Sequence, residues 1–217
     1  ERAEEVEDRP NRELLAHRYD EARRLSVGDR ALTESGGWVN GRQMSLLFGG
    51  ASALGLGRLA DAAADLEQLR DWYARERIVM DWYWEAQLHA YLAELWLRRG
   101  DLERATIEAS AARQAANATP ERTCRSRSQV ASAVVAIERR AFDEASQYLR
   151  QARHEVRRID TPLVSWRIEA VTATLLEKTA QPDSARRARQ KYERALQRLQ
   201  PQRLTNKRNS VDPRPRH

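Results

Sequence analysis

Cysteine is nearly absent from this chain of 217 residues, in which Cys124 is the single example. One thiol cannot form an intrachain disulfide or supply a thiol cluster for zinc or iron. The first residues, Glu1 to Asp8, are acidic and do not resemble a signal peptide. These features predict a protein of the reducing cytoplasm.

Long apolar runs are also missing, since none approaches the roughly 20 residues that a membrane span requires. Glycine and proline are scarce, with 9 and 7 residues, whereas hydrophobic and charged residues make up 41% and 32% of the chain. This balance favours long helices with solvated outer faces, gathered in one domain, and gives little support to β-structure.

No spacing typical of a catalytic or metal site occurs. The four histidines are far apart in sequence: His17, His89, His154 and His217. The glycines of Gly49-Gly50 and Gly55-Leu56-Gly57 lack the Lys-Ser or Lys-Thr that follows a nucleotide-binding loop. The sequence therefore predicts no enzyme, no cofactor and no metal site.

What the chain does contain is a repeat. A small residue followed twelve positions later by alanine recurs at intervals of 43, 40 and 40 residues, in the pairs Gly50/Ala62, Ala93/Ala105, Ala133/Ala145 and Ala173/Ala185. A fixed period of this length is typical of stacked helical hairpins, with small residues where two backbones come closest. We therefore predict an all-α fold, a right-handed α-solenoid of about four hairpins.

Capping signals divide the repeats into helices. Gly100 ends one helix and Asp101 is placed to cap the next, while Thr161 and Pro162 suit the cap and first turn of another. Arg140 stands where the preceding repeat has Gly100, which predicts a turn that is less sharply left-handed.

An apolar stripe from Asn11 to Leu25 predicts an additional N-terminal helix before the first repeat. It resembles the second helix of a hairpin whose first helix is missing, so we expect the chain to be part of a larger protein. The predicted division is an acidic tail at 1–10, one solenoid domain at 11–200 and a disordered basic tail at 201–217.

The second and last repeats resemble the tetratricopeptide pattern of paired helices. The matching residues are Leu92, Ala93, Trp96, Gly100, Ala105, Ala109 and Ala112, followed by Ala188, Tyr192, Ala195 and Leu196. The period is longer than the usual length of about 34 residues, and is similar to that of large bacterial signalling proteins that append helical repeats to an effector domain. The resemblance covers about Gln43 to Gln200, and it implies a TPR-like region that binds proteins.

That resemblance also implies that the first helix of each hairpin lines a concave inner face. The residues of this face would be Met44, Leu47, Gln87, Ala90, Glu94, Arg127, Val130, Val134, Arg167 and Thr174. Their mixture of apolar and charged side chains suits an extended peptide or a helix of a partner. The alternative is that these positions are ordinary solvated or packing residues of the repeat.

Three of the six tryptophans lie in the segments Asp71-Trp72-Tyr73 and Asp81-Trp82-Tyr83-Trp84. If they are exposed, Trp82 and Trp84 form a contact patch for a protein partner. If they are buried, the aromatic residues are a wedge between the first and second repeats. Because Trp82 and Trp84 are two residues apart, at least one of them should be partly exposed.

The net charge of +6 is concentrated at one end. Residues 182–217 carry 11 Lys or Arg against 3 Asp or Glu, which leaves 27 against 29 in the remainder. An alternative function is therefore nucleic-acid or polyanion binding through Arg186, Arg187, Arg189, Lys191 and Arg194. The leading hypothesis remains a docking or regulatory scaffold for another protein or another domain of the parent chain, with self-association as a further option and no membrane partner.

Overall fold

The computed structural model describes residues 10–11, 13–14, 17–36, 39–76, 81–159 and 161–199. Throughout this part of the chain the regular secondary structure is α-helical, as the composition predicts. The predicted tails at 1–10 and 201–217 lie outside the described residues, except for Pro10, which is buried.

Nine helices follow one another in the described residues. They are α1 (Tyr19–Gly36), α2 (Val39–Gly55), α3 (Leu59–Tyr73), α4 (Asp81–Arg98), α5 (Leu102–Asn117), α6 (Arg122–Glu138), α7 (Phe142–Val156), α8 (Pro162–Lys178) and α9 (Pro182–Leu199). Consecutive helices pack against each other, and α2, α4, α6 and α8 also contact one another in that order. The even-numbered helices thus form one continuous layer.

The repeated small residues lie inside the packed helices. All eight are buried: Gly50, Ala62, Ala93, Ala105, Ala133, Ala145, Ala173 and Ala185. A Cβ atom at Gly50 would lie 2.6 Å from Leu66 Cγ on α3, so a larger residue would force α2 and α3 apart. The predicted burial of these small residues is confirmed.

One turn geometry recurs at five helix ends. The backbone is left-handed, with φ between 56° and 79°, at His17, Gly57, Gly100, Arg140 and Ala180. The Gly100 amide donates to the Leu97 carbonyl at 3.0 Å, the next amide donates to the Trp96 carbonyl at 2.9 Å, and the other four turns repeat this pair of bonds. This is the Schellman motif, which satisfies the last carbonyls of a helix and redirects the chain.

Two sequence predictions are wrong at these turns. Arg140 is as left-handed as the glycines, with φ 60°, because its turn makes the same two hydrogen bonds. The predicted helix from Asn11 to Leu25 is interrupted at His17, and α1 begins at Tyr19. Apolar spacing continues across this turn, so periodicity alone could not locate it.

Of the two helix starts predicted from capping signals, one has the expected side-chain cap and the other does not. The Asp101 carboxylate accepts a hydrogen bond from the Arg104 amide at 2.9 Å, which confirms the predicted cap of α5. Pro162 occupies the first turn of α8 as predicted, but the Thr161 side chain makes no capping hydrogen bond.

Candidate functional site

A cavity of about 560 Å³ lies against the layer of even-numbered helices. Residues of α2, α4, α6 and α8 line it, together with Tyr19 of α1 and with Leu14 and His17, which precede α1. Its volume falls within the range of about 300–1,000 Å³ that is usual for ligand pockets. Because four stacked helices contribute, the cavity exists only in the assembled fold.

One face of α4 and one face of α6 are directed at the cavity. The lining residues are Gln87, Ala90, Tyr91, Ala93, Glu94, Leu97 and Arg98 of α4, and Arg127, Val130, Ala131, Val134 and Glu138 of α6. Intervals of three and seven residues, from Gln87 to Ala90 and Glu94 and from Arg127 to Val130 and Val134, place most of them along one side of each helix. At about 1.5 Å per residue, the lined stretch of each helix is about 16 Å long.

Aliphatic side chains make up much of the cavity wall. They are Ala51, Leu54, Ala90, Leu97, Val130, Ala131, Val134, Ala170 and Val171. A surface of this kind removes aliphatic groups of a ligand from water and offers them no hydrogen bond, so the polar ends of the cavity must orient the ligand.

The charges near the carboxyl end of α4 are paired with one another. Arg98 donates to Glu94 at 2.6 Å and to a main-chain oxygen of α2 at 2.6 Å. Arg167 lies 3.9 Å from Glu94, and its guanidinium faces the rings of Tyr91 and Trp166 at 5.9 Å and 5.2 Å from their centroids. This end of the cavity is therefore a closed network of charge and aromatic contacts.

Arg127 lies near the opposite end, at the amino-terminal side of α6. Its Nη1 donates to Oε1 of the buried Gln87 at 2.8 Å. Within the described part of the chain no carboxylate forms an ion pair with Arg127. Glu121 lies farther away: its pKa is lowered mainly by hydrogen bonds from Thr123, and the charge of Arg127 makes a smaller contribution. Arg127 is thus a cation that lines the cavity with a neutral hydrogen-bond partner.

The turn before α1 closes one side of the cavity. The His17 ring packs edge-on against Trp166 of α8, with centroids 4.4 Å apart, and its Nδ1 lies 2.9 Å from the Tyr19 hydroxyl. Tyr19 covers Gly55, where any Cβ atom would overlap its ring. Burial, followed by the charge of Arg167, lowers the pKa of His17, so this ring is neutral at pH 7.

The predicted inner-face residues divide into two groups. Seven of the ten line the cavity: Gln87, Ala90, Glu94, Arg127, Val130, Val134 and Arg167. Met44 and Leu47 are core residues instead, because α2 is covered on nearly all sides. Thr174 is exposed outside the cavity and donates to the Ala170 carbonyl at 3.3 Å. A role in binding for the seven stays a prediction.

Sequence reasoning missed the residues that close the cavity. Leu14, His17 and Tyr19 are about 150 positions from Trp166, and no local pattern reports a contact over that separation. Arg98 carried a detectable signal, because it lies one helical turn after Glu94 on the predicted inner face.

The aromatic segment forms packing contacts. Trp84 is half-buried, and its ring lies 5.7 Å from that of Phe48 and 4.6 Å from that of Tyr83. The side chain of Trp82 lies outside the described part of the structure. Trp84 therefore packs as expected of a wedge between repeats, and its partial exposure agrees with the expectation for this pair of tryptophans. A contact of Trp84 with a protein partner stays a prediction.

The basic side chains of α9 are exposed: Arg186, Arg187, Arg189, Lys191 and Arg194. Arg186 lies 3.5 Å from Asp183, and Arg189 lies 2.6 Å from Glu177. Two of the five predicted polyanion contacts therefore already have an acidic partner within the chain.

Where side chains are described, no three of His, Cys, Asp or Glu come together as a metal site, and no helix there combines the length and apolar character needed to cross a membrane. No protein family, curated protein or solved structure matches the chain. The geometry of the cavity therefore carries the functional conclusion.

Proposed function

We propose that this chain is a non-catalytic interaction module of a larger bacterial signalling or transcription-regulatory protein. Its cavity receives a short segment of another protein, or of another domain of the same protein. Binding is non-covalent and requires no cofactor.

The recurrent turn supports a right-handed α-solenoid of TPR-like hairpins as the architecture of this module. The five left-handed residues are spaced by 40, 43, 40 and 40 positions, in step with the small-residue pairs. Stacked repeats of this kind present extended concave surfaces to their partners. The even-numbered helices correspond to the inner layer of such a surface.

One observation carries the proposal: a continuous layer of four non-consecutive helices bounds a cavity with a largely aliphatic wall, and charged residues lie at both ends of the lined stretch of α4 and α6. At about 3.3 Å per residue, an extended segment of about five residues spans the lined length of about 16 Å. Aliphatic side chains of that segment gain burial, and the charged ends of the cavity set its direction.

Site-specific photo-crosslinking tests the proposal. Benzoylphenylalanine replaces Ala131, which lines the cavity, or Ile107, which is 60% exposed on α5. In cells that contain the full chain, we expect the probe at position 131 to join one defined peptide, identified by mass spectrometry. Adding Ala90→Trp, which fills the cavity, should remove that product while the melting temperature is retained.

The probe at position 107 is the control for random encounters. Products shared by positions 107 and 131, or products at 131 that survive Ala90→Trp, would contradict binding in the cavity. The absence of any polypeptide product at 131 would contradict the proposal as well.

Polyanion binding through α9 is the alternative function, supported by the exposure of Arg187, Lys191 and Arg194. Such binding should weaken steeply with added salt and should depend on these three charges. Titration of labelled single-stranded DNA into the full chain, with the three residues changed to Gln as the comparison, tests it.

A further inference from the structure

The three arginines that line the cavity have different partners. Arg98 and Arg167 share Glu94, and both are further held by a main-chain oxygen or by aromatic rings. Arg127 instead donates to the neutral amide oxygen of Gln87. A cation beside an aliphatic surface gains most from an ionised partner, because the local dielectric constant is lower than in water.

Gln87 fixes the position of the Arg127 guanidinium. It is 5% exposed, and its Oε1 accepts from Nη1 at 2.8 Å, which holds one edge of the guanidinium against α4. The guanidinium carries five N–H donors, so others remain for a ligand. A carboxylate can accept two of them side by side.

The charges at the opposite end of the cavity balance one another. Glu94 and Glu138 line it together with Arg98 and Arg167. A second acidic group placed there would gain no net attraction, and the aliphatic wall accepts no charged group without a large desolvation cost. The cavity therefore discriminates in favour of one negative charge, located at the Arg127 end.

We propose that the segment bound in this cavity is aliphatic and carries a single Asp or Glu side chain that pairs with Arg127. This inference rests on the proposed function, because it specifies the chemistry of the segment that the module binds. Small aliphatic side chains of the segment contact Val130, Ala131 and Val134, and its acidic side chain accepts hydrogen bonds from the Arg127 N–H donors that Gln87 leaves free.

The test is a selection from a random dodecapeptide library, displayed on its encoding RNA, against the immobilised full chain. Parallel selections use Arg127→Gln, Arg127→Lys and Ala90→Trp. Arg150→Gln is the matched control, because it makes the same change of charge at an exposed residue of α7. All variants are first checked for an unchanged melting temperature.

We expect the wild-type chain and Arg150→Gln to select peptides with one acidic residue among aliphatic ones. Changing that residue to its amide should weaken binding to the wild-type chain about tenfold, the usual effect of a charge-assisted hydrogen bond, and should leave binding to Arg127→Gln unchanged. Arg127→Lys should retain part of the effect, since it keeps the charge and loses the planar fork.

Two results would overturn the inference and leave the proposed function intact. One is the selection of cavity-dependent peptides that lack an acidic residue. The other is an acidic residue whose neutralisation weakens binding to wild-type and Arg127→Gln chains equally.

A different result would overturn both. If Ala90→Trp selects the same peptides as the wild-type chain, no polypeptide segment binds in the cavity. Calorimetric titration with dodecanoate then tests whether the ligand is a free aliphatic acid instead. If dodecanoate binds to the wild-type chain and not to Arg127→Gln, the cavity is assigned to such an acid.

Discussion

Asp65 shows how single residues hold the first helix of the array in place. It is 4% exposed on α3, and its carboxylate pairs with Arg23 and, at 2.8 Å, with Arg30, both on α1. Gly49 of α2 leaves room for this cluster, since a Cβ atom there would lie 2.9 Å from Arg23 Nη1. One buried acid on α3 therefore joins that helix to α1, beside a glycine of α2.

Removing the charge of Asp65 should be strongly destabilising. Asp65→Asn leaves two partly buried guanidinium groups without their anion, and we expect the free energy of unfolding to fall by about 3 kcal/mol. Urea denaturation measures this value. Asp61→Asn, at an exposed position of the same helix, is the control and should change it by less than about 0.5 kcal/mol. Equal effects of the two variants would argue against the proposed role of the cluster.

Cys124 should be chemically unreactive in the folded protein. Its thiol is buried, and burial raises its pKa to about 11, so very little thiolate exists near neutral pH. We expect iodoacetamide to label the native chain slowly and the urea-unfolded chain rapidly, as followed by intact mass. Because Cys124 is the only cysteine, one mass shift reports on one site. Rapid labelling of the native chain would show that the thiol is accessible.

At the scale of elements, the left-handed turns are built from different residues. Gly57 and Gly100 adopt this conformation without strain, whereas Arg140 and Ala180 bear the steric cost of a Cβ atom, about 1–2 kcal/mol each. The hydrogen bonds of the Schellman motif and the packing of adjacent helices outweigh that cost.

Substitutions at the equivalent residues Gly100 and Arg140 should therefore change the free energy of unfolding in opposite directions. Gly100→Ala should lower the free energy of unfolding by about 1 kcal/mol, because a Cβ atom there meets no neighbour and only the backbone is strained. Arg140→Gly should raise it by about 0.5 kcal/mol, since relief of strain exceeds the entropy cost of glycine. Chemical denaturation of both variants checks the pair. Effects of the same sign would contradict the common geometry.

The existence of most helices could be predicted from the sequence, but some of their ends could not. Gly100 and Asp101 marked ends through their intrinsic preferences, and the structure places ends there. His17 and Arg140 are not typical turn formers, so the turn at His17 was missed and that at Arg140 was misjudged. Bonds and packing around these residues impose the left-handed backbone.

At the scale of the whole molecule, the two ends of the described helices meet. His17, just before α1, contacts Trp166 of α8, and Trp166 also lies 6.1 Å from the Tyr192 ring of α9. Leu14 lies beside this contact in the wall of the cavity. The contact therefore determines how far that side of the cavity is open.

Lowering the pH should weaken this contact. The pKa of folded His17 lies below its ordinary value of 6.5, because burial and the nearby Arg167 disfavour the protonated ring. The unfolded chain thus binds this proton more readily, so the stabilisation is present above about pH 6.5 and is lost as the pH falls towards the folded pKa. Besides Arg167, the ring faces the Tyr19 hydroxyl, which is uncharged in this range.

His17→Phe isolates this effect, since phenylalanine keeps a ring against Trp166 and cannot titrate. We expect the free energy of unfolding of the wild-type chain to fall more than that of His17→Phe between about pH 7.5 and about pH 5.5. Parallel pH profiles for the two chains would show that His17 does not sense the change.

The candidate site was predictable to the extent that it follows one helix at a time. Glu94 and Arg127 could be placed on inner faces, because the period of 3.6 residues orders the side chains around each helix. Met44 had the same apparent register, yet α2 is covered by its neighbours and the residue lies in the core. A local period determines which side chains share a face, but not what covers that face.

The amino-acid sequence by itself determined the all-helical fold, the burial of the repeated small residues and several helix ends, because these depend on local propensity and on side-chain size. Only the tertiary structure decided that His17 meets Trp166, that Asp65 joins α3 to α1 and that Arg127 lies beside an aliphatic cavity with a neutral partner. These features depend on contacts between residues far apart in sequence, which no local pattern encodes.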